Sequence, residues 1–450
     1  MSGVTHTLAS LNGTEALCSL VTAPFEPYDA LICTSRAVTQ MVRATTGAYS
    51  DFLRDRFGGQ PELRLRLETI PLGVDPDKFR PPTPEERAAS RYTLGIADDE
   101  VVVLFVGRLS AHAKAHPFPL YDGLARAARA TGRKVHLLLA GWAANEPIRK
   151  AFQDGARVFA PGVRVSFIDG TKPEYRYRVW QAADLFTSLS DNIQETFGLV
   201  ITEAMASGLP VVATDWDGYR DQVVDRETGL LVPTYMVRDA TADATSRLLL
   251  GEINYDVFLG MCNQTVAVDL AAAAEAFRVL IADADLRRRL GAAGRQRALE
   301  HFAWPEIIRA YEQLWNRQEA ERQAVLARRP GPARPATSAG PACYPAPDHA
   351  YAGYPTALLQ DEDRLVADEN ARERLHWFLD LPLTNYVASE RTADPDRIRA
   401  VLTAAETPRA LVELDEVLAR AGIGRIAGRA TLAWMLKYGL LRPAPGSGAS

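Results

Sequence analysis

Cysteine is scarce: Cys18, Cys33, Cys262 and Cys343 are all that the 450 residues contain, and no two of them stand in C-x-x-C spacing. That pattern indicates neither a disulfide framework nor a zinc site, and no metal is expected. Long apolar runs are lacking too, none approaching the ~18 residues of a membrane span. The first residues show no basic-then-apolar leader pattern, so the cytoplasm is the expected location. On that basis the Asn12-Gly-Thr and Asn263-Gln-Thr sequons read as chance matches. Positive charge is not in excess either; the formal balance is −5, which disfavours a globally basic nucleic-acid binder. Neither GxxxxGK[ST] nor HExxH occurs, which removes P-loop hydrolysis and zincin chemistry. Gly422 to Ala427, GIGRIA, imitates a dinucleotide fingerprint, but no strand precedes it.

What is present is an ordinary folded composition, 47% hydrophobic, with room for two or three domains. The most informative stretch is Ser188 to Asp221, SLSDNIQETFGLVITEAMASGLPVVATDWDGYRD. A short apolar strand leads into the polar Ser190, Asp191 and Asn192. Thr196 then stands as the expected N-cap of a helix carrying Leu199, Val200, Ile201, Ala204 and Met205. Gly208 is placed to cap that helix and Pro210 to stop it, and Val211 to Ala213 is a buried strand. Glu195 falls beside the amides of Thr196, Phe197 and Gly198, with Glu203 about two turns further on. A helix start of this kind attracts phosphate.

Residues 1–90 hold too few elements for a complete α/β domain: VTHTLAS, a helix near Thr14 to Val21, the strand DALICTS, a helix from Ala37 to about Phe57, and LRLRLETIPLGVD. The proline-rich segment at Pro81 marks a boundary. From Val101 the order is regular: VVVLFVG, a helix through LYDGLARAARA, VHLLLAG, a helix near Ile148 to Phe152, VRVSFID, a helix from Tyr175 to Ala183, ADLFTSL, and later GLLVPT. Doubly buried strands alternating with helices imply a doubly wound parallel sheet, whose ligands collect beyond the carboxyl ends of the strands. Arg108 directly follows the first of these strands, and Lys114 lies in the same loop. Two cations facing a helix start suit a diphosphate.

Residues 91–326 therefore form the expected main domain, ending in amphipathic helices. The WPEIIRAYEQLW stripe among them reads as a packed face rather than a sugar platform. Residues 327–354, dense in Pro, Ala and Gly, read as a linker. Residues 355–450 read as a small helical domain, and 359–450 carry 12 Lys and Arg against 14 Asp and Glu. Arg420, Arg425, Arg429, Lys437 and Arg442 nevertheless occupy 417–442 without an acid, and the helices there could build a winged-helix-like unit.

On these residues the chain resembles the retaining glycosyltransferases of family four, which have the GT-B fold of two facing Rossmann-like domains. The resemblance rests on the E-x7-E pair Glu195 and Glu203, the segment FVGRLS with Arg108 and Lys114, DALICTS followed by IPLGVDPDKF, and LRRRLGAAGRQRALEHFAWPEIIRAYEQLW. It covers roughly Asp29 to Trp315. The resemblance implies that Glu195 meets the donor sugar's hydroxyls, that the amides of Thr196, Phe197 and Gly198 reach sugar and diphosphate, and that Glu203 holds the nucleotide ribose. It implies that Arg108 and Lys114 grip the diphosphate, offsetting its charge without a metal. The family's usual Arg-to-Lys gap is one residue shorter than the gap from Arg108 to Lys114 here. His6, in THTLAS, matches a histidine that the family places near the reacting sugar.

The expected activity is hexose transfer with retention from a nucleotide diphosphate sugar, itself a substrate and not a cofactor, to the hydroxyl of a glycan, lipid-linked or small-molecule acceptor. No further cofactor is expected. An arbitrary E-x7-E is usually a solvated pair; here the loop–helix–strand setting favours a site. Trp216 and Tyr219 stand near it as supporting groups. If the His6 match holds, the family's earlier strands and glycine-rich acceptor loop belong upstream of Met1, roughly a hundred residues or more. A rival expectation follows: a nucleotide-sugar-binding or interaction protein impaired in turnover by an incomplete N-terminal domain, with a protein partner at 355–450.

Overall fold

The structure is a computed structural model describing residues 1–328, 346–384 and 394–445. The chain divides into two compact units, Met1–Pro330 and Gly331–Ser450. Most of the expected 327–354 linker, residues 329–345, lies outside the described residues.

The first unit opens with β1 (Ser2–Val4), α1 (Leu11–Thr22), β2 (Ala30–Cys33), α2 (Arg36–Phe57) and β3 (Arg66–Thr69). Its three strands form a parallel sheet in the order β1-β2-β3. Serines cap both helices: Ser10 Oγ accepts from Gly13 N–H and Ser35 Oγ from Val38 N–H. The helix expected near 14–21 starts about one turn earlier, at Leu11, where Ser10 supplies the cap.

The second sheet follows after α3 (Pro84–Thr93): β4 (Glu100–Val106), α4 (Phe118–Thr131), β5 (Lys134–Gly141), α5 (Glu146–Phe159), β6 (Val163–Asp169), α6 (Arg178–Ala182) and β7 (Leu185–Ser188). Then come α7 (Leu199–Ala206), β8 (Val211–Thr214), α8 (Tyr219–Gln222) and β9 (Gly229–Val232). All six strands are parallel, in the order β6-β5-β4-β7-β8-β9. Along β4, Val101, Val103 and Phe105 pack with Leu124 and Phe277 on one face, while Val102 and Leu104 pack with Ile201 and Phe302 on the other. Burial on both faces is why this strand reads as an unbroken apolar run. The chain winds β4, β5, β6 to one side and β7, β8, β9 to the other, which makes the β4/β7 junction a topological switch point.

β10 (Thr234–Met236) and β11 (Val266–Val268) form an antiparallel pair, with α9 (Ala242–Leu249) and α10 (Tyr255–Asn263) between them. Three helices follow: α11 (Leu270–Ala282), α12 (Ala284–His301) and α13 (Trp304–Arg328). Through Ile307 and Leu314, α13 packs on Ala30, Ile32 and Ile70 of the first sheet region, so the WPEIIRAYEQLW stripe is a packed face. One unit thus carries two Rossmann-like parallel sheets, the GT-B arrangement with an abbreviated first sheet.

The second unit contains α14 (Pro347–Ala350), β12 (Arg364–Ala367), α15 (Ala371–Asp380), α16 (Pro395–Ala404), β13 (Arg409–Ala410), α17 (Leu411–Arg420), α18 (Arg425–Lys437) and β14 (Leu441–Pro443). α17, α18 and β14 supply the helix–helix–strand order of a winged-helix-like unit, and β12 lies between β13 and β14 in an antiparallel sheet. The basic run at 417–442 is largely neutralised by acids from elsewhere in the unit. Arg429 binds Asp415 at 2.6 Å and Asp361 at 2.8 Å, and Arg425 binds Asp361 at 2.7 Å.

Candidate functional site

Two loops meet at the β4/β7 switch point, one following each strand. Three contacts fasten them: Ser190 Oγ donates to the Lys114 carbonyl at 3.0 Å, His116 N–H to Asp191 Oδ1 at 3.2 Å, and Asn192 Nδ2 to the His112 carbonyl. The expected juxtaposition of cations and helix start is therefore built into the backbone. Lys114 Nζ lies 3.1 Å from Glu195 Oε2. Glu195 Oε1 accepts from the amides of Thr196 at 3.2 Å and Phe197 at 3.4 Å. Arg108 reaches the same loop, its Nη2 3.3 Å from Gln194 Oε1.

The helix begins two residues later than expected. Its N-cap is Gly198, not Thr196, and α7 spans eight residues from Leu199. Gly198 has a φ of 86°, a left-handed conformation that glycine adopts without strain. Thr196 and Phe197 belong to a turn whose amides face Glu195 instead of continuing a helix. A Cβ on Gly198 would stand 2.0 Å from Tyr219 Cε1. The Tyr219 ring is fully buried and its hydroxyl lies 2.8 Å from Ser188 Oγ, so it walls the turn in. Gln222 Nε2 donates to the Phe197 carbonyl, and Trp216 Nε1 to the Asn192 carbonyl at 3.1 Å. Trp216 and Tyr219 thus brace the loop. At the other end, Gly208 is left-handed as expected, just past the Ser207 cap.

Glu203 is half-buried on α7, and no hydrogen bond or ion pair to its carboxylate is found among the described residues. Burial pushes its carboxyl up to about 7, against the pull of the Arg176 guanidinium. Two further carboxyls, missed in the sequence, are raised to about 7 by burial: Asp191 and Asp217. The amide of His116 and the Asn263 side chain oppose the rise at Asp191. At Asp217 the Ser35 hydroxyl opposes it, while Glu195 and Asp221 add to it. Their only sequence signal was the polar DNIQ and DWDGYRD clusters, which ordinarily read as solvated loop.

The first sheet approaches this wall through the start of α2. Thr34 Oγ1 donates to the Thr196 carbonyl at 3.3 Å, Ser35 Oγ to Asp217 Oδ1 at 3.0 Å, and Arg36 Nε to Asp221 Oδ1 at 2.6 Å. A cavity of about 430 Å3 lies between Leu8, Ala37 and Met41 on one side and Glu195, Thr196 and Asp217 on the other. His6 follows the end of β1 and is exposed, with Nδ1 3.0 Å from Thr7 Oγ1; it is not among the cavity's lining residues. The structure therefore brings Arg108, Lys114, Glu195, Thr196, Phe197 and Gly198 together and leaves His6 outside that contact network. Among the described residues, no group of three or more His, Cys, Asp and Glu is placed to hold a metal ion, and no helix is long and apolar enough to cross a membrane.

Comparison with known proteins places this geometry in context. Residues 86–258, which include every expected site residue except His6, match the family described as Glycosyl transferases group 1. The D-inositol 3-phosphate glycosyltransferase of Nocardia farcinica is 34% identical over 253 residues, which cover 54% of this chain and 52% of that protein. Its namesake from Mycobacteroides abscessus is 39% identical over 188 residues, covering 41% of this chain and 39% of that protein. The chain spans about half the length, or less, of the curated relatives it matches. Among solved structures, sucrose-phosphate synthase from Thermosynechococcus elongatus aligns with a TM-score of 0.48 and 23% identity, covering 71% of this chain and 68% of that one. Anabaena HepE, in complex with UDP and glucose, aligns with a TM-score of 0.47 and 19% identity, covering 70% of this chain and 71% of that one.

Proposed function

We propose that this chain, whose residues 86–258 match group 1 glycosyl transferases, moves a hexose from a nucleotide diphosphate sugar to an acceptor hydroxyl with retention at the anomeric carbon. One observation carries the reading. At the switch point of the six-stranded sheet, the Arg108 and Lys114 loop meets the Glu195–Gly198 turn, with Lys114 Nζ 3.1 Å from Glu195 Oε2. Cations and a helix start converging beyond strand carboxyl ends form a site for a diphosphate.

In this reading Arg108 and Lys114 bind the two phosphates, and Lys114 exchanges its contact with Glu195 for one with the leaving group. As the glycosidic bond to the diphosphate lengthens, negative charge grows on the departing oxygen. Arg108, Lys114 and the Gly198 amide stabilise it, joined by the amides of Thr196 and Phe197 as the Glu195 carboxylate they hold turns to the sugar. Glu195, released from Lys114, accepts hydrogen bonds from sugar hydroxyls and orients the anomeric carbon. Glu203 accepts from the two ribose hydroxyls, which suits a carboxylate with no other partner among the described residues. His6 stands on the acceptor side. Family resemblance supports retention, and the names of the curated relatives support glycosyl transfer.

The test is release of nucleoside diphosphate by the purified chain from a panel of nucleotide sugars, with and without acceptors. Acceptor-dependent release supports transfer. Tight nucleotide-sugar binding with no release favours the second reading, a nucleotide-sugar-binding protein without turnover. The three strands of the first sheet and the exposed His6 favour that alternative, because closure of two complete domains is what excludes water from such clefts.

A further inference from the structure

At the amino ends of β4 and β7, the opposite end of the second sheet from the candidate donor site, lies a cavity of about 470 Å3. Four guanidiniums line it: Arg87 and Arg91 from α3, Arg133 from the turn before β5, and Arg287 from α12. Arg87 and Arg91 share one carboxylate, Asp184, at 2.7 and 3.3 Å. Their other donors go to main-chain carbonyls, Ala183 for Arg87, Ala97 and Glu100 for Arg91. Arg287 Nη1 donates only to the carbonyls of Leu280 and Ile281, at 2.6 and 3.1 Å. No ion pair is made by Arg133 or Arg287 among the described residues.

Two of the lining acids are engaged elsewhere, Asp99 with Lys134 at 2.6 Å and Glu100 with Arg164 at 3.2 Å. Four guanidiniums therefore face two carboxylates, Asp184 and the exposed Asp98. Burial pushes the Arg287 guanidinium down; Asp184 and Asp283 draw it up, and Arg133 and Arg87 add to the fall. A half-buried guanidinium crowded by two others, with no carboxylate of its own, is stabilised by an added anion. The planar forks of Arg suit phosphate oxygens, and the excess of positive charge matches a doubly negative group.

We propose that this cavity binds the phosphate or diphosphate group of a small molecule, at a site separate from the donor site. The seven residues of β4, at about 3.3 Å each, separate the two by about 20 Å. One molecule therefore does not bridge them with a single diphosphate.

Inorganic pyrophosphate titrated calorimetrically into the full chain at low salt tests this, with the R108Q/K114Q pair marking any binding at the donor site. Arg133 is exposed, so R133Q leaves the fold intact. The expectation is a pyrophosphate site that R108Q/K114Q leaves unchanged and that R133Q weakens about tenfold, the loss of one charge-assisted contact. R287Q, checked for unaltered circular dichroism, weakens the same site. The proposal is overturned if no pyrophosphate site responds to R133Q or R287Q, or if all binding disappears in R108Q/K114Q.

Discussion

Replacing Gly198 with alanine probes the turn on which the site depends. With φ at 86°, an alanine pays no favourable backbone energy there; left-handed residues other than glycine cost about 1–2 kcal/mol. The new methyl carbon would stand 2.0 Å from Tyr219 Cε1, and that ring is 1% exposed and tied to Ser188, so it has little room to withdraw. Overpacking of this kind costs about 1–3 kcal/mol. The sum, about 2–5 kcal/mol, corresponds to a fall in Tm of roughly 4–10 °C at about 2 °C per kcal/mol for a large unit. The turn's displacement also moves the Thr196 and Phe197 amides, so nucleotide-sugar affinity falls with it. Scanning calorimetry reads the first effect and a binding titration the second. Adding Y219A separates the two causes: it removes the clash but not the φ cost, so G198A/Y219A is less destabilised than the sum of the single changes by about 1–3 kcal/mol. A G198A protein with wild-type Tm and wild-type donor affinity would refute the reasoning.

Three further outcomes are expected. R108Q and K114Q each weaken nucleotide-sugar binding roughly tenfold to a hundredfold, the loss of one charged contact of about 1.5–3 kcal/mol, as read by equilibrium binding. Burial holds the Glu203 carboxyl near 7; with the ribose bound by its ionised form, as proposed, wild-type donor affinity rises as pH increases through about 7 and then levels, and E203Q binds more weakly and loses that step. Asp191, 3% exposed, is also raised to about 7, so the folded state holds its proton more tightly than the unfolded state. Its contribution to stability therefore falls as pH rises from about 4 to about 7. D191N, whose amide oxygen can still accept from His116, is then more stable than wild type at pH 8 by on the order of 1–3 kcal/mol, and the gain shrinks towards pH 5 in denaturant titrations.

Much of the second sheet was legible because doubly buried parallel strands write themselves as short apolar runs, as in Val101 to Val106 and Val135 to Ala140. Gly208 and Pro210 likewise announced the end of α7, since few residues accept a left-handed stop. The start of α7 was misplaced for a related reason. Thr196 has the chemistry of an N-cap, but the left-handed Gly198 and the Glu195 carboxylate turn the Thr196 and Phe197 amides out of the helix. That outcome depends on Tyr219, 21 positions away in sequence, filling the space beside Gly198.

The meeting of Lys114 with Glu195 links positions 81 apart, beyond any local pattern; the doubly wound sheet brought their loops to one crevice, and only the family resemblance gave the two side chains their separate roles. Burial of Asp191 and Asp217 was illegible for the opposite reason: their neighbours are polar, and only packing of the α2 start and the β4 loop removes them from water. The basic run at 417–442 looked unpaired because Asp361, which takes Arg425 and Arg429, lies 64 and 68 positions upstream.

The donor assignment is tested most directly by a thermal-shift panel of nucleotide diphosphate sugars on the full chain, run beside the R108Q/K114Q and E203Q variants. A specific nucleotide sugar should raise the Tm of the wild type, by an amount that grows with ligand concentration, and should do so much less in either variant. No shift with any nucleotide sugar, or an equal shift in all three proteins, would contradict a donor site at the β4/β7 switch point.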